Sequence, residues 1–126
     1  MNGTTGQVKF SVDLRQHPRL RVSAPFVCSL ARLGLAKWLG RGSNGIGVVF
    51  DVSMKGAKVM SEAGIQRGDR LSVSLSLPNQ ASPMTVEEAT VRWEKDQVYG
   101  LEFADLSPVA EMRLRKFITI STERAS

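Results

Sequence analysis

Short segments in which apolar and polar residues alternate dominate the chain, and this period of two is typical of half-buried β-strands. The clearest segment runs from Arg70 to Leu77, with four aliphatic residues on one face and three serines on the other. A second alternation runs from Val22 to Leu33, where Pro25 predicts an edge position or a bulge. The same reasoning predicts further strands at 46–50, 57–60, 89–93 and 99–103.

Near its end the chain changes to a helical period. Ser107 and Pro108 form an N-cap and first-position pair, and the apolar residues that follow recur at helical spacing. The pattern therefore predicts a helix over 107–120 whose apolar face packs against the strands. On that face we expect Val109, Met112, Phe117 and Ile120, and among the strand residues we expect Trp93 and Phe103 in the core.

Six or seven short antiparallel strands and one amphipathic helix predict a mainly β fold, a small barrel or sandwich with the helix across one opening. Residues 1–12 are expected to form a flexible tail, 13–21 an arginine-rich loop, 22–104 the barrel and 121–126 a second tail. Residues 34–47 hold five of the eleven glycines and are predicted to be a long, mobile connection.

Composition narrows the possible chemistry. The 126 residues suit one compact domain, and a single cysteine, Cys28, excludes an intrachain disulfide. With His17 as the only histidine, a Cys/His zinc site is excluded, and a catalytic triad is disfavoured because His17 lies between a glutamine and a proline. We expect no catalytic residue, no metal and no cofactor.

No apolar stretch approaches the roughly 18 residues of a membrane span, and the first residues lack the apolar core of a signal peptide. The sequence therefore predicts a cytoplasmic protein without a membrane span, which suits one unpaired thiol.

Positive charge is concentrated in the first half of the chain. Residues 1–60 hold nine basic and two acidic residues, whereas residues 61–126 hold eight basic and ten acidic residues. This asymmetry favours an anionic partner for the first half, because a local positive field raises the encounter rate with phosphates. Nucleic acid, a small phosphorylated ligand and an acidic protein surface all remain open at this point, as does a merely solvated basic face.

Two separated clusters carry candidate chemistry. Arg15 and Arg19 precede the first strand, and a guanidinium can pair bidentately with phosphate or with the O6/N7 edge of guanine. Asp51 and Ser53, two positions apart on a strand, project from the same face, where the carboxylate can accept from guanine N–H groups. Gly56 suits a sharp turn, a positive φ or a ligand against the backbone. Taken separately, each cluster also fits an ordinary basic loop or hairpin turn.

The order and spacing of the two clusters resemble the PilZ domain family, bacterial receptors for cyclic di-GMP whose pattern is RxxxR followed by [D/N]xSxxG. The segments 89–93 and 99–103 look like later strands of that family, and the resemblance covers roughly residues 13–120. It implies a PilZ-type β-barrel in which cyclic di-GMP contacts Arg15, Arg19, Asp51, Ser53 and Gly56. Residues that flank these motifs are secondary candidates: Leu14, Gln16, Arg21 and Lys55.

The resemblance implies a stand-alone receptor or adaptor that changes the conformation of its arginine loop on binding. It would signal to an unidentified protein effector in motility, pilus assembly, exopolysaccharide production or virulence. Two alternatives stay open: a PilZ-like scaffold that binds no nucleotide, and a small basic barrel that binds nucleic acid. The serine face of 70–77 disfavours nucleic acid, because such barrels usually expose aromatic residues. Leu14 adds no charge for a second nucleotide and favours binding of one; the oligomeric state stays open.

Overall fold

The computed structural model describes residues 20–34 and 45–125. Its six strands are all paired antiparallel and close into a barrel in the order β1-β2-β3-β6-β5-β4. This confirms the prediction of a mainly β fold with six strands and a C-terminal helix. The elements are β1 (Leu20–Arg32), β2 (Gly45–Ser53), β3 (Gly56–Ser61), β4 (Arg70–Leu75), β5 (Met84–Lys95), β6 (Val98–Phe103) and α1 (Pro108–Ala125).

The interior of the barrel is filled by the apolar positions of the alternating segments. In β4 and just beyond it, Leu71, Val73, Leu75 and Leu77 are buried, as the period of two predicts. The pairing of β1 with β2 shifts register between Arg21 and Phe26, which confirms an irregularity around Pro25.

Several boundaries differ from the sequence-based expectation. Strand β1 already begins at Leu20, inside the predicted arginine loop. Strand β2 begins at Gly45, so Gly45–Gly47 belong to the strand rather than to the predicted connection. The rest of that connection, residues 35–44, lies outside the described residues, as does the predicted tail 1–12. The helix runs to Ala125, past the predicted end at 120, so the prediction of a tail over 121–126 is wrong for all of these residues except the last, which lies outside the described residues.

The start of α1 agrees with its prediction. The Ser107 hydroxyl accepts a hydrogen bond from the Ala110 N–H at 3.1 Å, and Pro108 occupies the first helical position. Within the described part of the chain, no helix combines the length and hydropathy that crossing a membrane requires.

The predicted core face of α1 is wrong for three of its four residues. Val109, Met112 and Ile120 are exposed, and only Phe117 is buried. The buried stripe is instead Ala110, Leu114 and Phe117, at the spacing i, i+4, i+7. Phe117 packs edge-on against Phe26 of β1, with the ring centroids 5.6 Å apart. Because the inside of a closed barrel is reached only through its ends, this packing places the helix over one of them.

Cys28 lies fully buried in this core, so we expect its thiol to be unreactive in the folded protein. Burial raises the pKa of the Cys28 thiol from 9.0 to about 12, and a hydrogen bond with the Gly47 backbone only partly offsets the effect. At pH 8 the thiolate fraction then falls about a thousandfold, so a disulfide reagent should react at least a hundredfold more slowly with native than with guanidinium-unfolded protein. Equal rates would contradict this burial.

The same pKa shift fixes how Cys28 contributes to stability. The folded state holds the thiol proton more tightly than the unfolded chain does. The protonated thiol therefore makes its full contribution to the free energy of unfolding below pH 9, and this contribution is lost as the pH rises from 9 to about 12.

Candidate functional site

The second motif forms the turn that joins β2 to β3. Ser53 pairs with Gly56 across this turn, and the Ser53 hydroxyl oxygen accepts a hydrogen bond from the Lys55 N–H at 3.1 Å. The Lys55 carbonyl in turn accepts from the Phe103 N–H of β6 at 2.7 Å. Ser53 is buried, and the hydrogen bond that its hydroxyl oxygen accepts stabilises the turn. The proton of the same hydroxyl can be donated to a ligand that lies beside the turn.

Gly56 is required here by close packing and not by its backbone angle, since its φ is not positive. A Cβ atom added at Gly56 would lie 2.2 Å from the carbonyl oxygen of Leu101 in β6. The absence of a side chain therefore lets β3 and β6 pair directly at the base of the turn, where Gly56 faces Glu102. The positive φ considered from the sequence is wrong for this residue.

Asp51 lies between two basic positions of the neighbouring strands. It pairs with Arg21 of β1 on one side and with Lys58 of β3 on the other. The Asp51 carboxylate oxygen Oδ2 is 3.9 Å from the Lys58 ammonium, and both side chains are mostly buried. Residues that face each other across antiparallel strands point to the same side of the sheet, so a carboxylate and an ammonium share the outer face of the barrel.

The Lys58 ammonium also lies close to two aromatic rings. Its nitrogen is 5.9 Å from the ring centroid of Phe50 and 5.9 Å from that of Trp93. These distances are within the range of a cation–π interaction. Phe50 is the extra residue where the register between β2 and β3 shifts, and the shift brings its ring to the same outer face as Lys58.

Trp93 is not a core residue, which corrects the sequence-based expectation. The pairing of β5 with β6 shifts register between Val91 and Trp93, and this bulge reverses the alternation so that Trp93 faces outward, 38% exposed. The indole lies over Gly100 of β6, where an added Cβ would be 2.0 Å from the indole nitrogen Nε1. Phe103, by contrast, is buried as predicted.

These residues form one continuous row, here called the outer row: Asp51, Lys58, Gly100 and Trp93 on the adjacent strands β2, β3, β6 and β5. Three strand spacings separate its ends, about 14 Å. The row offers a hydrogen-bond acceptor for N–H groups at one end, a cation for phosphate in the middle and a flat aromatic surface at the other end. Those three chemistries together suit a purine nucleotide.

The first motif lies outside the described residues, which begin at Leu20. This applies to Leu14, Arg15, Gln16 and Arg19, while Arg21 is described by its backbone position opposite Asp51. Asp51, Ser53, Lys55 and Gly56 are brought together at the end of the β2–β3 hairpin.

Lys58 and Trp93 are not among the candidate site residues predicted from the sequence. Lys58 was detectable once β2 and β3 were paired, because it then faces Asp51 directly. For Trp93, a glycine on the facing strand is the available signal, since it leaves room for a large ring.

Among residues 20–34 and 45–125, no group of three histidine, cysteine, aspartate or glutamate side chains is arranged to hold a metal ion.

Comparison with known proteins gives a consistent result. The family model of the PilZ domain matches residues 13–119. None of the curated protein sequences matches the chain. Solved structures with the same fold include the PilZ domain with c-di-GMP of YcgR from Escherichia coli, which is 19% identical with a TM-score of 0.64 over 89% of this chain and 93% of that chain.

Two further structures are similar. The PilZ domain of CeSA from a cellulose-synthesizing bacterium is 15% identical, with a TM-score of 0.57 over 80% of this chain and 97% of that one. The Bacillus subtilis inhibitor of motility, MotI/DgrA, is 17% identical, with a TM-score of 0.61 over 89% of this chain and 53% of that one. The chain thus spans about half the length of MotI/DgrA.

Proposed function

The chain belongs to the PilZ domain family, and from this membership we propose that it is a receptor that binds cyclic di-GMP on the outer row of its barrel. The observation that carries the proposal is the convergence of Asp51, Lys58 and Trp93 on one face, beside the strand that follows the two arginines. The structure of the similar PilZ domain of YcgR from Escherichia coli was solved with c-di-GMP, and this supports the same class of ligand for the present chain.

The pairing of β1 places the start of this strand beside the outer row. Leu20 faces Val52 and Arg21 faces Asp51, so the chain enters β1 beside the Asp51–Ser53 segment. Arg19 directly precedes Leu20 in the sequence, and the four residues from Arg15 to Arg19 can span at most about 13 Å. Two guanidinium groups within that reach can pair with the phosphates and with the O6/N7 edge of a guanine.

The three side chains of the outer row, together with Ser53, have complementary partners on the ligand. The Asp51 carboxylate accepts from the N1–H and N2–H groups of a guanine, and the Ser53 hydroxyl donates to the phosphate or the base edge. The Lys58 ammonium neutralises phosphate charge. The Trp93 indole stacks on a purine ring.

The receptor acts by a change of conformation and not by catalysis. Charge-assisted bonds from Arg15 and Arg19 to a bound nucleotide order the arginine loop against the barrel, and the ordered surface is what a protein effector recognises. The structures of MotI/DgrA, an inhibitor of motility, and of CeSA, from a cellulose-synthesizing bacterium, support an effector in motility or exopolysaccharide production.

The unpaired thiol of Cys28 favours the cytoplasm as the compartment of the protein.

Isothermal titration with cyclic di-GMP tests the proposal. Wild-type protein should bind saturably, and Arg15→Ala, Arg19→Ala and Asp51→Ala should each weaken binding at least tenfold, about 1.4 kcal/mol, because each removes a charge-assisted contact. Lys116→Ala, which removes an exposed cation of α1, is the matched control and should leave the affinity unchanged. The stoichiometry shows whether one nucleotide or a stacked pair is bound.

If titration of wild-type protein with cyclic di-GMP gives no heat of binding, the receptor proposal is wrong and the alternative of a scaffold that binds no nucleotide is favoured. Saturable binding that all three variants retain would instead mean a receptor with its site elsewhere. Titration with single-stranded nucleic acid over a salt series tests the nucleic-acid alternative, for which affinity should fall steeply as salt rises.

A further inference from the structure

Next to the outer row, the same face of the barrel carries a second set of side chains that is apolar and exposed. Val27 of β1 faces Val48 of β2, Val48 faces Met60 of β3, and Met60 faces Val98 of β6. Ile46 lies two residues from Val48 on the same face. Ile46, Met60, Val27 and Val48 are between 40% and 69% exposed. Val98 is half-buried. We call Val27, Ile46, Val48, Met60 and Val98 the apolar row.

We propose that the apolar row is the centre of a two-fold symmetric interface with a second copy of this chain. The exposed parts of its side chains come to on the order of 400 Å², about half of the 800 Å² that each partner buries in an interface of standard size. An uncharged row also lets two basic chains approach each other, where a basic face would repel its own copy.

The charges along β3 fit a two-fold arrangement. Lys58 and Met60 alternate on β3, and the exposed Glu62 follows one residue beyond the end of the strand, so a cation, an apolar side chain and an anion succeed one another at every second position. A two-fold axis that lies in the interface near Met60 and runs perpendicular to β3 reverses this order in the second copy. Lys58 of each copy then faces Glu62 of the other, so the flanks of the interface are complementary as well as its centre.

The other exposed apolar residues are less suited to this role. Val109 and Met112 of α1 are exposed, but the next residue of that helix face, Lys116, is an exposed cation. Met112 is therefore a matched control for Met60. Both are exposed methionines, but Met60 lies in the apolar row, whereas Met112 lies on a helix face that also carries the cation Lys116.

Sedimentation equilibrium of nucleotide-free protein between about 5 and 500 µM tests the interface independently of cyclic di-GMP. Wild-type protein should dimerise within this range, and Met60→Lys should raise the dimer dissociation constant at least tenfold, whereas Met112→Lys should change it less than twofold. Thermal unfolding of each variant checks that the barrel is intact. If Met60→Lys does not fold, Ile46→Lys replaces it, since Ile46 is 69% exposed.

A charge exchange tests the orientation. Lys58→Glu and Glu62→Lys should each weaken the dimer, and the double variant should restore it towards the wild-type value, because the two residues face each other across the axis. The proposal is overturned if wild-type protein stays monomeric up to 500 µM, if Met60→Lys and Ile46→Lys leave the dimer unchanged, or if Met112→Lys disrupts it equally.

Discussion

The Trp93→Ala variant is expected to bind cyclic di-GMP roughly 10- to 100-fold more weakly than wild-type protein, because stacking of one base on an aromatic side chain is worth about 1–3 kcal/mol. The indole is partly exposed and lies at the end of the row that begins at Asp51, so a purine can cover it without displacing core residues. Titration calorimetry of the variant, beside a thermal melt that confirms folding, measures the effect.

Two further variants separate stacking from packing at this position. Trp93→Phe keeps an aromatic face and should lose less affinity than Trp93→Ala. Gly100→Ala leaves the tryptophan in the sequence but displaces its ring, because the added Cβ would lie 2.0 Å from the indole nitrogen, and it should weaken binding as well. Unchanged affinity in Trp93→Ala would mean that the indole only covers the Gly100 backbone.

Trp93 also shows how far the fold could be predicted. The period of two found a part of each of the six strands, since burial of one face is a property of each strand by itself, as in 70–77. A bulge depends on how a strand pairs with its partner. The register shift between Val91 and Trp93 is therefore not visible in the alternation of apolar and polar residues along β5. The chain therefore predicts Trp93 as core, and the pairing with β6 turns it outward.

The helix illustrates a different limit. Two stripes of α1 carry aliphatic residues at helical spacing, and the choice between them depends on how the helix meets the barrel. The stripe through Leu114 and Phe117 reaches Phe26, whereas Val109 and Met112 point to solvent. Periodicity established that a helix closes the chain, but tertiary packing decided which face was buried.

The candidate site was predictable to the extent that it is local. Asp51, Ser53 and Gly56 lie within six residues of one hairpin and were found from their spacing, whereas Lys58 joins them through the register of β2 with β3. A side chain that enters a site through cross-strand pairing becomes visible only after the strands are aligned. The apolar row is hidden from the sequence for the same reason, since its members come from four strands.

Gly56→Ala is expected to destabilise the domain by about 3 kcal/mol, a large share of the stability of a domain this size. The added methyl group would lie 2.2 Å from the carbonyl oxygen of Leu101, and that atom belongs to the backbone of a paired strand and cannot rotate away. The β3–β6 pairing must therefore separate at the base of the turn. Chemical denaturation measures the free energy of unfolding, and the melting temperature should fall by more than about 10 °C.

Gly64→Ala is the matched control, because nothing lies within 4 Å of a Cβ at that position and the φ of Gly64 is not positive. Its stability should stay within about 0.5 kcal/mol of wild type or rise slightly, since alanine restricts the unfolded chain. At a temperature where Gly56→Ala is still folded, its binding of cyclic di-GMP separates two roles for the glycine. Lost affinity with unchanged stability would make Gly56 a ligand contact. The close approach of Leu101 instead requires that stability falls, and that any loss of affinity follows from displacement of the turn between Ser53 and Gly56.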